Sequence, residues 1–301
     1  MRSLALGLAI MGIFLLTEAT GASMTSSSYR IEWDALSQGG GEQSASSSYK
    51  IRDTVGEVSP GIGESSSYQL AAGYRAGVYD PMITFDLFVQ QTGTERVVTT
   101  LSERTVTTST DGFSVGDMIA VVQDKGESQI SAFGKIISLG AGTLTVDAWK
   151  NAGVTPVVDG TDDVVYRLSS NAIDLETLRT SAVRTALVGF EVSSDIGNGY
   201  VVNVLEDGEL RAASDFIDDV SDGSVTVGQE EYGARSSDSS LSSSTFDSID
   251  SAITSSFQEI ATDTQSVLER RNFLTLKAAI ASTTPAGTYG QNLSLVVSGN
   301  F

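Results

Sequence analysis

The tetrapeptide Ser-Ser-Ser-Tyr occurs three times near the N-terminus, at residues 26–29, 46–49 and 65–68. Tyr29, Tyr49 and Tyr68 are therefore 20 and 19 residues apart. Each is followed by a polar or charged residue (Arg30, Lys50, Gln69) and then an aliphatic one (Ile31, Ile51, Leu70). Units this short cannot each enclose a core, so they must stack on something. Alternation in Tyr29-Arg30-Ile31-Glu32-Trp33 puts Tyr29, Ile31 and Trp33 on one face, the period of a half-buried strand. Gly39-Gly40-Gly41 and Ser59-Pro60-Gly61 supply turn material. Residues 23–80 thus read as a repeat β-module with one apolar face. Its candidate assembly residues are Tyr29, Ile31, Tyr49, Ile51, Tyr68 and Leu70. The module can pair within its own chain or with a neighbouring subunit, since edge strands template either.

What precedes the module reads as a leader. Arg2 gives a positive start, residues 4–16 are apolar, and Ala19-Thr20-Gly21-Ala22 offers small residues for cleavage. Residues 1–22 are therefore expected to be a signal peptide, too short to span a bilayer. The chain holds no Cys and no His. An exported chain of this kind has no disulfides to use. The missing side chains also remove thiol catalysis, the Ser-His-Asp triad and ordinary zinc sites. The net charge is −20, and residues 181–301 hold 17 acidic against 6 basic side chains, a net of −11. Such a surface repels nucleic acid and anionic membranes and keeps an exported protein solvated.

Two further units follow. In residues 81–170, Ile83-Thr84-Phe85-Asp86-Leu87-Phe88-Val89 alternates cleanly. Short strands are then expected at 97–101, 105–108, 112–122, 134–139, 142–147 and 164–168, the spacing of a small inserted β-barrel. In residues 171–301, strands are expected at 186–192, 200–205, 273–280 and 293–297. Asn198-Gly199 turns the chain between the first two. Val225 to Val227 are expected to pair nearby, and residues 252–260 lean toward a strand. Residues 236–245, with seven serines, read as an exposed loop. This spacing suits an immunoglobulin-like sandwich.

Val115-Gly116-Asp117-Met118-Ile119, followed by Gly134-Lys135-Ile136 and Thr143-Leu144-Thr145-Val146, resembles small SH3-like or tail-fibre-type barrels. Thr284-Pro285-Ala286-Gly287-Thr288-Tyr289 with Leu293-Ser294-Leu295-Val296-Val297 resembles the final hairpin of Ig-like sandwiches in bacterial surface, coat and pilus-type proteins. The Ser-Ser-Ser-Tyr repeat with Asp53-Thr54-Val55-Gly56-Glu57 is similar to an N-terminal module of secreted all-β proteins from uncultured bacterial lineages. So is the stretch Asn198-Gly199-Tyr200, Gly223-Ser224-Val225-Thr226-Val227-Gly228 and Glu230-Glu231-Tyr232-Gly233. The resemblance implies an exported β-protein and brings no catalytic motif.

Candidate chemistry is sparse. Asp215, Asp218, Asp219 and Asp222 form an acidic run that could offer oxygen ligands to Ca2+, as could Asp159-Gly160-Thr161-Asp162-Asp163, though neither has the EF-hand pattern. A solvated acidic loop is the plainer reading of both. No phosphate loop, no other cofactor motif and no aromatic cleft for a glycosidase is visible. Trp33 and Trp149 can stack on a sugar but more often cap a core. Leu293, Leu295, Val297, Gly299 and Phe301 alternate as in the last strand of an outer-membrane barrel, yet no ladder of ten-residue lipid-facing strands accompanies them.

The expectation is an all-β, non-enzymatic protein of the cell surface or the extracellular space. It would assemble through β-edges as a filament, coat or surface-layer subunit. The alternatives are an adhesin or glycan-binding module and an outer-membrane-associated β-protein. Its partners would be other copies or other surface proteins, and it is not expected to be an integral helical membrane protein.

Overall fold

The computed structural model describes residues 82–300, together with the backbone of six short strands between residues 24 and 72. The chain divides into two compact units, Met1–Asp80 and Pro81–Phe301. No helix among the described residues is long and apolar enough to cross a membrane.

The first unit holds three antiparallel pairs: β1 (Met24–Thr25) with β2 (Arg30–Ile31), β3 (Ser44–Ala45) with β4 (Lys50–Ile51), and β5 (Gly61–Glu64) with β6 (Gln69–Ala72). In every pair the innermost partners (Thr25 and Arg30, Ala45 and Lys50, Glu64 and Gln69) are separated in sequence by one Ser-Ser-Ser-Tyr copy. Each copy of the repeat thus lies, in sequence, between two strands that pair with each other. Ile31, Ile51 and Leu70 belong to strands. Tyr29, Tyr49, Tyr68, Trp33 and the leader lie outside the described residues.

The second unit is all-β and antiparallel. Its large sheet has twelve strands. One part is β20 (Glu231–Ser236), β22 (Val267–Ala279), β16 (Arg184–Ser194) and β7 (Ile83–Gln90), side by side in that order. It continues through β15 (Val164–Ser170), β11 (Met118–Gln123), β12 (Ile130–Gly140), β13 (Thr143–Val146), β10 (Thr105–Thr107) and β9 (Thr100–Leu101). Beside this path, β8 (Arg96–Val97) pairs with β15 and β14 (Lys150–Asn151) with β12. A second sheet has the order β21 (Gln258–Asp263), β17 (Tyr200–Glu206), β23 (Leu293–Gly299). A small hairpin joins β18 (Leu210–Ala212) to β19 (Asp215–Ile217).

The strands expected to form a separate small barrel at 81–170 join those of residues 171–301 in one large sheet. β7 is the reason: it pairs with β15 at Val89 and Gln90 and with β16 from Ile83 to Val89, so one strand splices both regions. Two cores follow. One lies between the large and the three-stranded sheets and contains Val188, Phe190, Val192, Tyr200, Val202, Val204, Leu274 and Leu276. The other, with Val106, Ile119, Val121, Ile136, Leu144 and Val165, fills the curled far end of the large sheet. β16 and β22 are buried on both faces over much of their length. Each fully buried Phe or Leu there contributes about 1.5–3 kcal/mol of transfer free energy.

Three local expectations change. Asn198-Gly199 closes no hairpin, because β16 and β17 pair with different neighbours. The turn instead carries the chain from one sheet to the other, with the Gly199 N–H donating to the Ile196 carbonyl (2.9 Å). Gly199 sits at φ 79°, and a Cβ there would collide with the Asp263 carbonyl; only glycine fits. Residues 252–260 become strand only from Gln258, while Ile253 is buried from irregular backbone. Val225 is likewise buried outside any strand, its N–H held by Asp250 Oδ2 at 3.0 Å.

Candidate assembly cleft

Sheet edges are where such a fold can meet another chain. The edge strand β20 is covered by its own chain. Tyr232 and Ala234 N–H donate to the Asp218 and Ser251 carbonyls, and Ser236 N–H to Phe246. The edge of β21 is covered as well: Ser236 Oγ donates to the Ile260 carbonyl, Ser244 Oγ to Glu259, and Thr262 N–H reaches Asp238 Oδ2. Of the loop expected to be exposed at 236–245, Ser239, Ser240, Ser242, Ser243 and Thr245 are exposed, but Ser236, Ser237 and Asp238 are buried. Their short polar side chains satisfy backbone groups that would otherwise be orphaned.

The edge of β23 and part of the edge of β7 are open among the described residues. Asp207 N–H donates to the Asn292 carbonyl (3.1 Å) and Asn300 N–H to Gly199 (3.0 Å). With the observed register, antiparallel alternation aims the backbone groups of Ser294, Val296 and Ser298 at β17. Those of Leu293, Leu295, Val297 and Gly299 point away, and no hydrogen bond reaches them among the described residues. β7 behaves alike: Asp195 N–H donates to the Met82 carbonyl, so Ile83, Phe85 and Leu87 direct their backbone groups away from β16, beyond the reach of β15.

Between β7 and β23 lies a cleft of about 890 Å³. Its floor is Leu87, Val89, Val188 and Leu276, its roof is Leu293 and Leu295, and residues 171–178 and 284–292 form the walls. Along β7 the inward row is Ile83, Phe85, Leu87 and Val89; Phe85 stacks at 5.7 Å on Phe190 of the core and Val89 is buried. Leu87 stands in the same row yet is 48% exposed. A core-row leucine left open to solvent marks a sheet that lacks a covering strand. No charged side chain occurs from residue 278 to residue 300, in a chain that is 19% charged.

A carboxyl cluster borders the cleft. Glu206 continues the buried row Tyr200, Val202, Val204 of β17 and is only 7% exposed, with Oε2 unpartnered. Burial, then the charges of Asp219, Glu209 and Asp207, push its carboxyl up to about 7, opposed by Arg211. Asp219, bridged to Tyr232 through the backbone, is pushed up to about 6 by burial and by Glu209 and Asp218. Burial, then the charges of Glu206 and Asp219, also raise the Tyr232 phenol, whose oxygen accepts from Gln291 Nε2 at 2.9 Å. Glu206 escapes notice in the sequence because it is polar, although the period-2 row it extends marks it as inward.

Of the four aspartates read as a calcium run, Asp215 lies on β19, Asp218 and Asp222 are exposed, Asp219 is half-buried, and Asp222 Oδ1 accepts from the Ser224 N–H. Among the described residues no group of three acidic side chains is placed to hold a metal ion. Asp163 is buried and accepts the Asp159 and Gly160 N–H groups (2.8 Å each), a structural role. Trp149 packs on the backbone of Gly134 and on the second core.

Comparison with models of protein families, with curated proteins and with solved structures found no match to this chain.

Proposed function

We propose that this is an exported, non-enzymatic structural protein of the cell surface or extracellular space, a subunit that self-assembles through its β-edges into a filament, coat or layer. We further propose that the two packed sheets, β20-β22-β16-β7 over β21-β17-β23, form an Ig-like sandwich. One observation carries the reading: β23 along one edge, and β7 from Ile83 to Leu87, have no second strand partner among the described residues, and Leu87 in the core-facing row of β7 is exposed beside the cleft. Open edges of this kind support β-strand addition, in which main-chain hydrogen bonds supply affinity and alternate side chains fill the groove. The acidic remainder of the surface keeps other faces apart.

Sedimentation velocity across a hundredfold concentration range, with negative-stain electron microscopy, tests it. Concentration-dependent oligomers or ordered polymers are expected. A strict monomer at every concentration would overturn the proposal.

A further inference from the structure

We infer that β23 pairs antiparallel with β23 of a second copy about a two-fold axis at Val296, joining two three-stranded sheets into one of six strands. The inference rests on the self-assembly reading and names its first contact.

The register follows from the free backbone groups. With the axis at Val296, Leu295 faces Val297 of the second copy and Leu293 faces its Gly299. Every outward N–H and C=O from Leu293 to Gly299 then finds a partner, the arrangement of hydrogen-bonded antiparallel pairs. A shift by one residue would set outward groups against residues whose groups are already used by β17.

Charge selects the occupant. Edge strands are ordinarily protected by charges, by Pro or by bulges. β23 has none of these: its sequence is Leu-Ser-Leu-Val-Val-Ser-Gly and its register with β17 is regular. Two copies of a chain with net charge −20 repel across most of their surfaces. At this uncharged strand their approach is not opposed.

The side chains are self-complementary as well. The outer row Ser294, Val296, Ser298 reads the same in both directions, so a two-fold sets Val296 on Val296 and Ser294 on Ser298. Val296 is 39% exposed, and the self-pair would cover it. On the inner face, Leu295 and Val297 of the second copy continue the half-buried row Leu293, Leu295, Val297 beside the cleft that Leu87 lines.

The test uses the full chain, which has no cysteine of its own. Val296→Cys places two thiols about 4.5 Å apart between Cα atoms, within disulfide range. It should cross-link on mild oxidation, whereas Ser294→Cys alone should not. Val296→Lys sets two ammonium groups face to face and should weaken the dimer at least about tenfold. Circular dichroism and melting unchanged from the parent show that each variant folds. Cross-linking with weakened dimers supports the inference. Oligomers untouched by Val296→Lys, with no Val296→Cys cross-link, would overturn this pairing and leave assembly through another edge standing. Absence of any oligomer in the parent chain would overturn both.

Discussion

Lys277 Nζ lies 3.0 Å from Asp250 Oδ2, with both side chains almost wholly buried. The same Nζ donates to the Glu127 carbonyl at 2.8 Å, and the same carboxylate oxygen accepts the Val225 N–H. One pair therefore ties β22 to three loops. Removing one member leaves the other charge uncompensated in low dielectric, so Lys277→Met should lower stability by about 3–5 kcal/mol. Urea denaturation followed by intrinsic fluorescence would read this; a loss near zero would mean that Asp250 regains water.

Stability should be greatest in mildly acidic solution. Glu206 and Asp219 have pKa values raised in the folded state, to about 7 and about 6. The stability they contribute is present in full below the ordinary carboxylate range and is lost progressively as pH rises from there to about 7. Asp147 and Asp207 are shifted down. For Asp147 burial opposes the shift, and hydrogen bonds from Arg271 and the backbone outweigh it; for Asp207 Arg211 leads. Their contribution is lost as pH falls below the ordinary carboxylate range. Melting temperature against pH should therefore peak within the ordinary carboxylate range, at about pH 4 to 4.5.

Glu206→Gln isolates the alkaline limb. The amide keeps the shape but cannot ionise, so the variant should gain on the order of 1–2 kcal/mol over the parent at pH 8 and little at pH 4.5. Equal changes at both pH values would assign the effect to packing and not to charge.

Gly199→Ala should cost about 2 kcal/mol or more, because it combines a positive φ with a clash against the Asp263 carbonyl. Gly160→Ala, at φ 88° with nothing within 4 Å of its Cβ, should lose only about 1 kcal/mol. Thermal melts of the two variants side by side give the comparison.

Leu87→Ser should change monomer stability by less than about 1 kcal/mol, since the side chain is already half exposed. If the cleft is the covered face in assemblies, the same substitution should weaken oligomers measured by sedimentation. A large fall in monomer melting temperature would show that Leu87 is ordinary core.

The strands of the second unit were largely legible from alternation. Val164 to Leu168, Tyr200 to Leu205 and Leu293 to Val297 all lie inside observed strands, because a strand with one buried face writes a period of two into its own sequence. Residues 252–257 deceived for a matching reason: Ile253 is buried without a strand, and burial alone carries no period.

By itself, then, the sequence determined an all-β chain, the position of most strands, the absence of Cys and His, and an acidic surface broken by an uncharged last strand. Only the tertiary structure decided which strands are neighbours. Period-2 patterning states which way a side chain points and not what lies beside it. So the splice through β7, the passage between sheets at Gly199, the inward placement of Glu206 and the open side between β7 and β23 all depend on pairings made across long stretches of sequence. A hydrogen-bond partner chosen over such a distance is set by which arrangement buries the most apolar surface at once, a property of the whole fold and of no single strand.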